Sequence, residues 1–173
     1  WIWWRLAPPP ARNTHLAAVL EPDAAVKWHS PAQTAHLLDL MGPLHRARLE
    51  GRAGRAVGAV FRRSREEDGR TVQRAEVRFD GLAGCLRTPR GGSSRQSIVV
   101  VENGRIRSRL ISPREAARLM GLPDTYVLPR TTTGALQVAG DGVAVPVVRW
   151  LAQELLEPLA GARFPSLDGE GQL

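Results

Sequence analysis

The spacing of apolar residues changes several times along this chain, and each change predicts an element. Ser30-Pro31-Ala32-Gln33 is a helix start, with a serine cap, proline at the first helical position and glutamine three residues after the cap. Leu37, Leu38, Leu40, Met41 and Leu44 then supply an apolar side at helical spacing. Gly42-Pro43 breaks that helix, and a second helical stretch runs to Gly51. From Arg55 the period falls to two. Val57, Ala59 and Phe61 alternate, Arg65 to Gly69 reads as a turn, and Ala75, Val77 and Phe79 alternate again. This predicts an antiparallel hairpin with a basic outer side. Ile98 to Val101, the Asn103-Gly104 turn and Ile106 to Leu110 predict a second hairpin, because Asn-Gly suits a tight turn with both residues at positive φ.

Beyond the hairpins the helical period returns. Ser112, Pro113 and Glu115 repeat the capping-box pattern, Gly121 suits a left-handed helix end, and Pro123 prevents continuation. Gly140-Asp141-Gly142 reads as a glycine turn of the kind that brings backbone amides close to a ligand. A last helix is expected from about Val145 to Glu157. Val147, Val148, Leu151, Leu155 and Leu156 form its stripe, and Pro158 ends it. Ala160 to Leu173 reads as a loose tail. The fold class is therefore mixed α+β, with a small twisted antiparallel sheet and flanking helices.

Charge adds a location. The chain of 173 residues carries a net charge of +7, and residues 46 to 118 hold 18 arginines against 8 acidic residues. The remainder is net acidic. Clustered positive charge suits a phosphate backbone. Twenty-three of the 24 basic residues are arginine, whose planar fork binds phosphate or a guanine edge. The Gly-, Ser- and Arg-rich stretch 81–96 is the expected contact. Arg87, Arg90 and Arg95 provide charge, Thr88, Ser93 and Ser94 provide hydroxyls, and Gly91 and Gly92 allow close approach of the backbone. Glu102 and Glu115 are candidate partners for the arginines of the sheet. A single cysteine, Cys85, excludes an internal disulfide framework and reads as a small packing residue. His29, His36 and His45 do not have the spacing of a metal set. No apolar run approaches the ~20 residues of a membrane span, and a reducing cytoplasmic location is the simplest expectation.

Two stretches together carry a family resemblance. The first is Arg107-Ser-Arg-Leu-Ile-Ser-Pro-Arg-Glu-Ala-Ala-Arg-Leu-Met-Gly-Leu-Pro-Asp124, and the second is Gly140-Asp-Gly-Val143. They resemble, in order and gap, motifs IX and X of the DNA cytosine-5 methyltransferases. Asp141 stands where that family has Asn. Gly81-Leu-Ala-Gly-Cys-Leu86 resembles the run leading into the family's recognition loop, with Cys85 in place of Thr. The resemblance implies S-adenosylmethionine as cofactor and double-stranded DNA as partner. Asp141, Gly142 and Val143 would line part of the cofactor pocket, Asp141 alternatively capping the last helix. By the same resemblance, Arg109, Ser112, Pro113, Arg114 and Glu115 would be the structural residues of motif IX. Residues 87–95 would touch DNA.

Methyl transfer to carbon 5 also needs a thiolate, a proton donor and a donor pocket. The family's Pro-Cys, Glu-Asn-Val and Phe-x-Gly-x-Gly segments, and its Gln-x-Arg-x-Arg block, do not occur in this chain. Starting at Trp1, it reads as a C-terminal portion whose partner is a catalytic half in the same chain or a separate subunit, and as inactive alone. The tryptophans at 1, 3 and 4 before Pro8-Pro9-Pro10 fit a cut just after that half. The expected organisation is a linker and helical support over 1–54, a target recognition domain over 55–111, motif IX and X helices over 112–160 that complete an α/β catalytic domain, and the tail 161–173. A stand-alone, non-catalytic DNA-binding module is the alternative. An RNA-binding sheet ranks lower, for want of aromatics to stack bases.

Overall fold

A computed structural model of the chain describes residues 5–52, 54–88 and 95–161. The tryptophan cluster, Arg90, Gly91, Gly92, Ser93 and Ser94, and the tail from 162 lie outside the described residues. The architecture is mixed α+β. Helix α1 (Pro31–Asp39) and helix α2 (Pro43–Glu50) precede strands β1 (Arg55–Glu67), β2 (Arg70–Arg78), β3 (Ser97–Glu102) and β4 (Arg105–Leu110). Helices α3 (Pro113–Leu119), α4 (Thr132–Asp141) and α5 (Val145–Leu151) follow. A π-helical turn (Ala152–Leu156) then leads into α6 (Glu157–Gly161).

The four strands form one antiparallel sheet in the order β2-β1-β3-β4. Both hairpins turn on two residues at positive φ: Asp68 (50°) with Gly69 (70°), and Asn103 (49°) with Gly104 (77°). Such turns match the natural twist of paired strands. The first turn is therefore shorter than the five residues expected, because Arg65, Glu66 and Glu67 still pair with Val72, Thr71 and Arg70.

Each face of the sheet is covered. Val60, Ala75, Val77, Val99 and Val101 pack against Leu37, Met41 and Leu49 of the first two helices. Ala59 and Ile98 pack on the other side against Leu16 and Val19, which lie on a short 3-10 turn (Leu16–Val19). Two-sided burial explains why Ile98 to Val101 read as a continuous apolar run rather than an alternation. It also corrects the expected basic side of the first hairpin. The exposed arginines Arg62, Arg63 and Arg65 gather at its outer half, where β1 has only β2 as a neighbour.

Both capping boxes form as predicted. Ser30 Oγ accepts from the Gln33 amide while the Gln33 side chain accepts from the Ser30 amide, at 3.2 and 2.9 Å. Leu44 departs from its expected core role at 65% exposed, because Gly42-Pro43 starts a new helix and turns it outward. Helix α4 was not visible in the pattern. It places Gly140 and Asp141 in its last turn, so the expected glycine turn reduces to Gly142 to Ala144. Asp141 is thus not the cap of the last helix. Ala144 holds that position without a side-chain bond. The helix does not stop at Pro158 either. The amide of Glu157 bonds five residues back to the Ala152 carbonyl, and this wider turn carries the chain into α6.

Candidate functional site

The most deeply buried ion pair lies where β4 meets α3. Arg109 and Glu115 are 1% and 0% exposed in their side chains and form a bidentate pair at 2.6 and 2.7 Å. Glu115 also accepts from the backbone amides of Ser112 (2.9 Å) and Glu21 (2.8 Å). One carboxylate therefore caps its own helix, neutralises a strand arginine and ties down the segment leading from the 3-10 turn. Burial alone pushes the Glu115 pKa up, but the Arg109 guanidinium and the two amides outweigh it and hold the group below its ordinary value. Arg109 Nε has no partner, and the Arg109 guanidinium lies 5.2 Å from the Trp28 ring, with Arg107 at 4.1 Å from the same ring. Ser112 Oγ accepts from the Glu115 amide at 3.1 Å and donates to the Glu21 carboxylate. Pro113 occupies the first turn of α3. Arg114 donates to the Tyr126 carbonyl at 3.0 Å, anchoring the loop after the helix.

A second cluster lies at the stem of the 81–96 stretch. Gln96 closes it: Gln96 Oε1 accepts from the Gly84 amide at 3.1 Å, its Nε2 donates to the Cys85 carbonyl at 3.0 Å, and its own carbonyl accepts from the Ile111 amide at 2.9 Å. Beside this closure is an open cavity of about 240 Å³ whose rim carries Arg62, Arg63, Arg87 and Arg95 together with Phe61 and Cys85. Arg63 is paired with Glu76 at 3.4 Å. Among the described residues, Arg62, Arg87 and Arg95 make no ion pair. Positive charge that no carboxylate neutralises suits an anionic ligand. Cys85 is exposed at this rim, contrary to the packing role expected of it, because Gln96 holds its backbone and leaves the thiol outside.

The third cluster joins the two motifs. The Thr88 hydroxyl donates to Asp141 Oδ1 across 53 residues of sequence. Gly142 and Val143 follow, both exposed, Val143 at 68%. Helix α5 is tied to α3 at its start, where the Val145 amide donates to the Met120 carbonyl at 2.8 Å. Among the described residues no group of His, Cys, Asp and Glu is arranged to hold a metal ion. His29 Nδ1 lies 2.9 Å from Ser108 Oγ, and His45 Nδ1 accepts from the Val77 amide at 3.1 Å. No helix among the described residues is long and apolar enough to cross a membrane.

The structure thus brings Arg87 and Arg95 together, and Thr88 with Asp141. It places Arg109, Ser112 and Glu115 in one hub, with Pro113 in the first turn of α3 and Arg114 bonded to the loop after that helix. Arg62 and Gln96 were missed by sequence reasoning. Arg62 is one arginine among many, and nothing local marks Gln96 as the closing residue of a loop.

The sequence profile of the C-5 cytosine-specific DNA methylases matches residues 44–157. Type II methyltransferase M1.ScrFI of Lactococcus lactis subsp. cremoris is 40% identical over 63 residues, which is 36% of this chain and 16% of that protein. Type II methyltransferase M.SsoII of Shigella sonnei is 36% identical over 63 residues, 36% of this chain and 17% of that protein. Type II methyltransferase M.HpaII of Haemophilus parainfluenzae is 43% identical over 51 residues, 30% of this chain and 14% of that protein. The matched stretch is therefore a small part of each relative's length.

Proposed function

The chain belongs to the C-5 cytosine-specific DNA methylase family, and on that premise we propose that it forms the C-terminal, target-recognition portion of a DNA (cytosine-5-)-methyltransferase of a restriction-modification system. In this reading residues 55–111 contact duplex DNA. Residues 112–160 complete a catalytic domain whose nucleophile and main S-adenosylmethionine pocket lie on a catalytic half outside these 173 residues. The cofactor supplies the methyl group. The exposed Gly142-Val143 backbone beside Asp141 is the part of this chain that faces it.

The observation that carries the DNA-binding part is the cavity rim where Arg62, Arg87 and Arg95 stand without carboxylate partners. Arg90, Ser93 and Ser94 continue the same charge and hydroxyl chemistry in sequence between two of those arginines. The likeness to Type II methyltransferases supports the reaction class.

The test is binding of a fluorescein-labelled duplex by the 173-residue chain as salt is varied. Weak binding that weakens steeply with salt is expected, with Arg87→Ala and Arg95→Ala each lowering the slope of log K against log salt by about 1. No binding at low salt, or binding indifferent to Arg62→Ala, Arg87→Ala and Arg95→Ala together, would remove the DNA reading. The chain alone is expected to transfer no methyl group, and transfer by it would overturn the placement of the catalytic groups elsewhere.

A further inference from the structure

We infer that Gly140 and Asp141 form a clamp on the stem of the proposed recognition loop, which makes Asp141 a positioning residue for DNA contact. The inference rests on the reading of residues 81–96 as the DNA-contacting stretch. Three observations converge on it. The Asp141 carboxylate accepts the Thr88 hydroxyl, and Thr88 is the residue at which the chain enters 89–94. Gly140 comes so close to the same stem that a methyl group on it would lie 2.5 Å from the Thr88 amide nitrogen, 2.7 Å from the Arg87 carbonyl carbon and 2.9 Å from the Thr88 Cα. Two residues before Thr88, Leu86 packs against the cluster of Ala116 of α3 with Leu136 and Ala139 of α4.

The three contacts divide the work. Leu86 supplies apolar burial and Gly140 supplies the seat for the backbone. Asp141 fixes rotation about the stem through a hydrogen bond to a charged acceptor, which is stronger than a neutral one. Helix α4 is itself held by its Thr131 cap, whose Oγ1 accepts from the Gly134 amide at 3.2 Å, so the clamp stands on a rigid element. An oxygen acceptor is all that Thr88 requires. Asparagine at 141 would supply one through its own Oδ1, whereas alanine would not. The side chain next to the proposed cofactor-facing turn thereby sets where Arg87 points, and a change at 141 is felt at the DNA rather than only at the cofactor.

The experiment measures amide hydrogen exchange across residues 84–96 in the 173-residue chain, with duplex affinity measured on the same samples. Asp141→Ala and Thr88→Val should each speed exchange in the stem by about tenfold, as expected for losing one hydrogen bond to a charged group. The double variant should do no more than either single one. Asp141→Asn should restore protection to within about twofold of wild type. Duplex affinity should fall in parallel, and Gly140→Ala should show the largest loss. Exchange in β3 and β4 should stay unchanged in all of them, which separates a released stem from an unfolded chain. Unchanged stem exchange in Asp141→Ala, or additive effects of the two single variants, would overturn the clamp. A released stem with unchanged duplex affinity would overturn its positioning role. Should the wild-type chain bind no duplex, the DNA reading fails with that positioning role, and the exchange data still decide whether the clamp exists.

Discussion

Helix α3 and the run from α5 to α6 begin alike and end up differently. Both have proline in the first turn and apolar residues at helical spacing. Three of the seven residues of α3 are buried, namely Glu115, Ala116 and Ala117. None from Val145 to Gly161 is buried, and Val147, Val148 and Leu156 are 50%, 47% and 56% exposed. Amphipathic spacing alone does not account for the difference. The carboxylate that caps α3 is the same group that holds Arg109 of β4 and the amide of Glu21, so local and tertiary structure share their atoms. Helix α5 starts without a side-chain cap, Ala144 making no such bond. The start of the run is tied to the end of α3 through Val145 and Pro146.

The largest test of this contrast removes one half of the buried pair. Arg109→Met leaves Glu115 charged, buried and without its cation, and should cost about 3–5 kcal/mol in urea unfolding. Replacing both, as Arg109→Met with Glu115→Leu, should cost clearly less than the single change, because no orphaned charge remains. A single change that costs under about 1 kcal/mol would mean that the hub is wetter than its burial indicates. The pH dependence follows the same logic. The folded pKa of Glu115 lies below its unfolded one, so its contribution is complete above the ordinary carboxylate range and is lost as pH falls through the folded value. Wild type should therefore lose stability below about pH 4 by a margin that Glu115→Gln lacks.

Gly121 tests the tie between the two regions. It ends α3 at φ 78°, and a methyl group there would collide with the Pro146 ring. Gly121→Ala should cost about 1–3 kcal/mol from backbone strain and overpacking. Exchange should rise from Val145 onward while the Arg109–Glu115 hub stays protected. Loss of protection in both regions together would show that they form one cooperative unit rather than two of different stability.

Features specified by neighbours in sequence were legible, and those specified across the fold were not. Ser30, Ser112 and Asn103-Gly104 announce their caps and turn because every atom involved lies within four residues. Helix α4 carries Gly134 and Gly140, which lower its intrinsic helix propensity, and it stands through burial of Ala135, Leu136 and Ala139 instead. The same physics hid the site. Arg109, Ser112 and Glu115 could be read as a block, and the structure keeps them as one. Nothing local joins Thr88 to Asp141 or marks Arg62 as facing Arg95, because those contacts depend on where α4 and the β1–β2 hairpin come to rest.

The smallest expected effect is the most informative about the last helices. Val147→Ser and Val148→Ser change side chains that are already half in water, so each should alter the stability of the 173-residue chain by less than about 0.5 kcal/mol. Ala117→Ser in α3, a far smaller change at a site with 0% exposure, should cost more, since its hydroxyl enters a closed interior. The ordering reverses if something covers α5. In a preparation where the proposed catalytic half is present and seated on this surface, the valine changes should become the costly pair, at roughly 1 kcal/mol or more each for lost apolar burial. Thermal unfolding of wild type and these three variants, with and without that half, decides the matter. An unchanged ordering in both conditions would mean that the valines stay in water and that the contrast between the two helical regions is a property of this chain by itself.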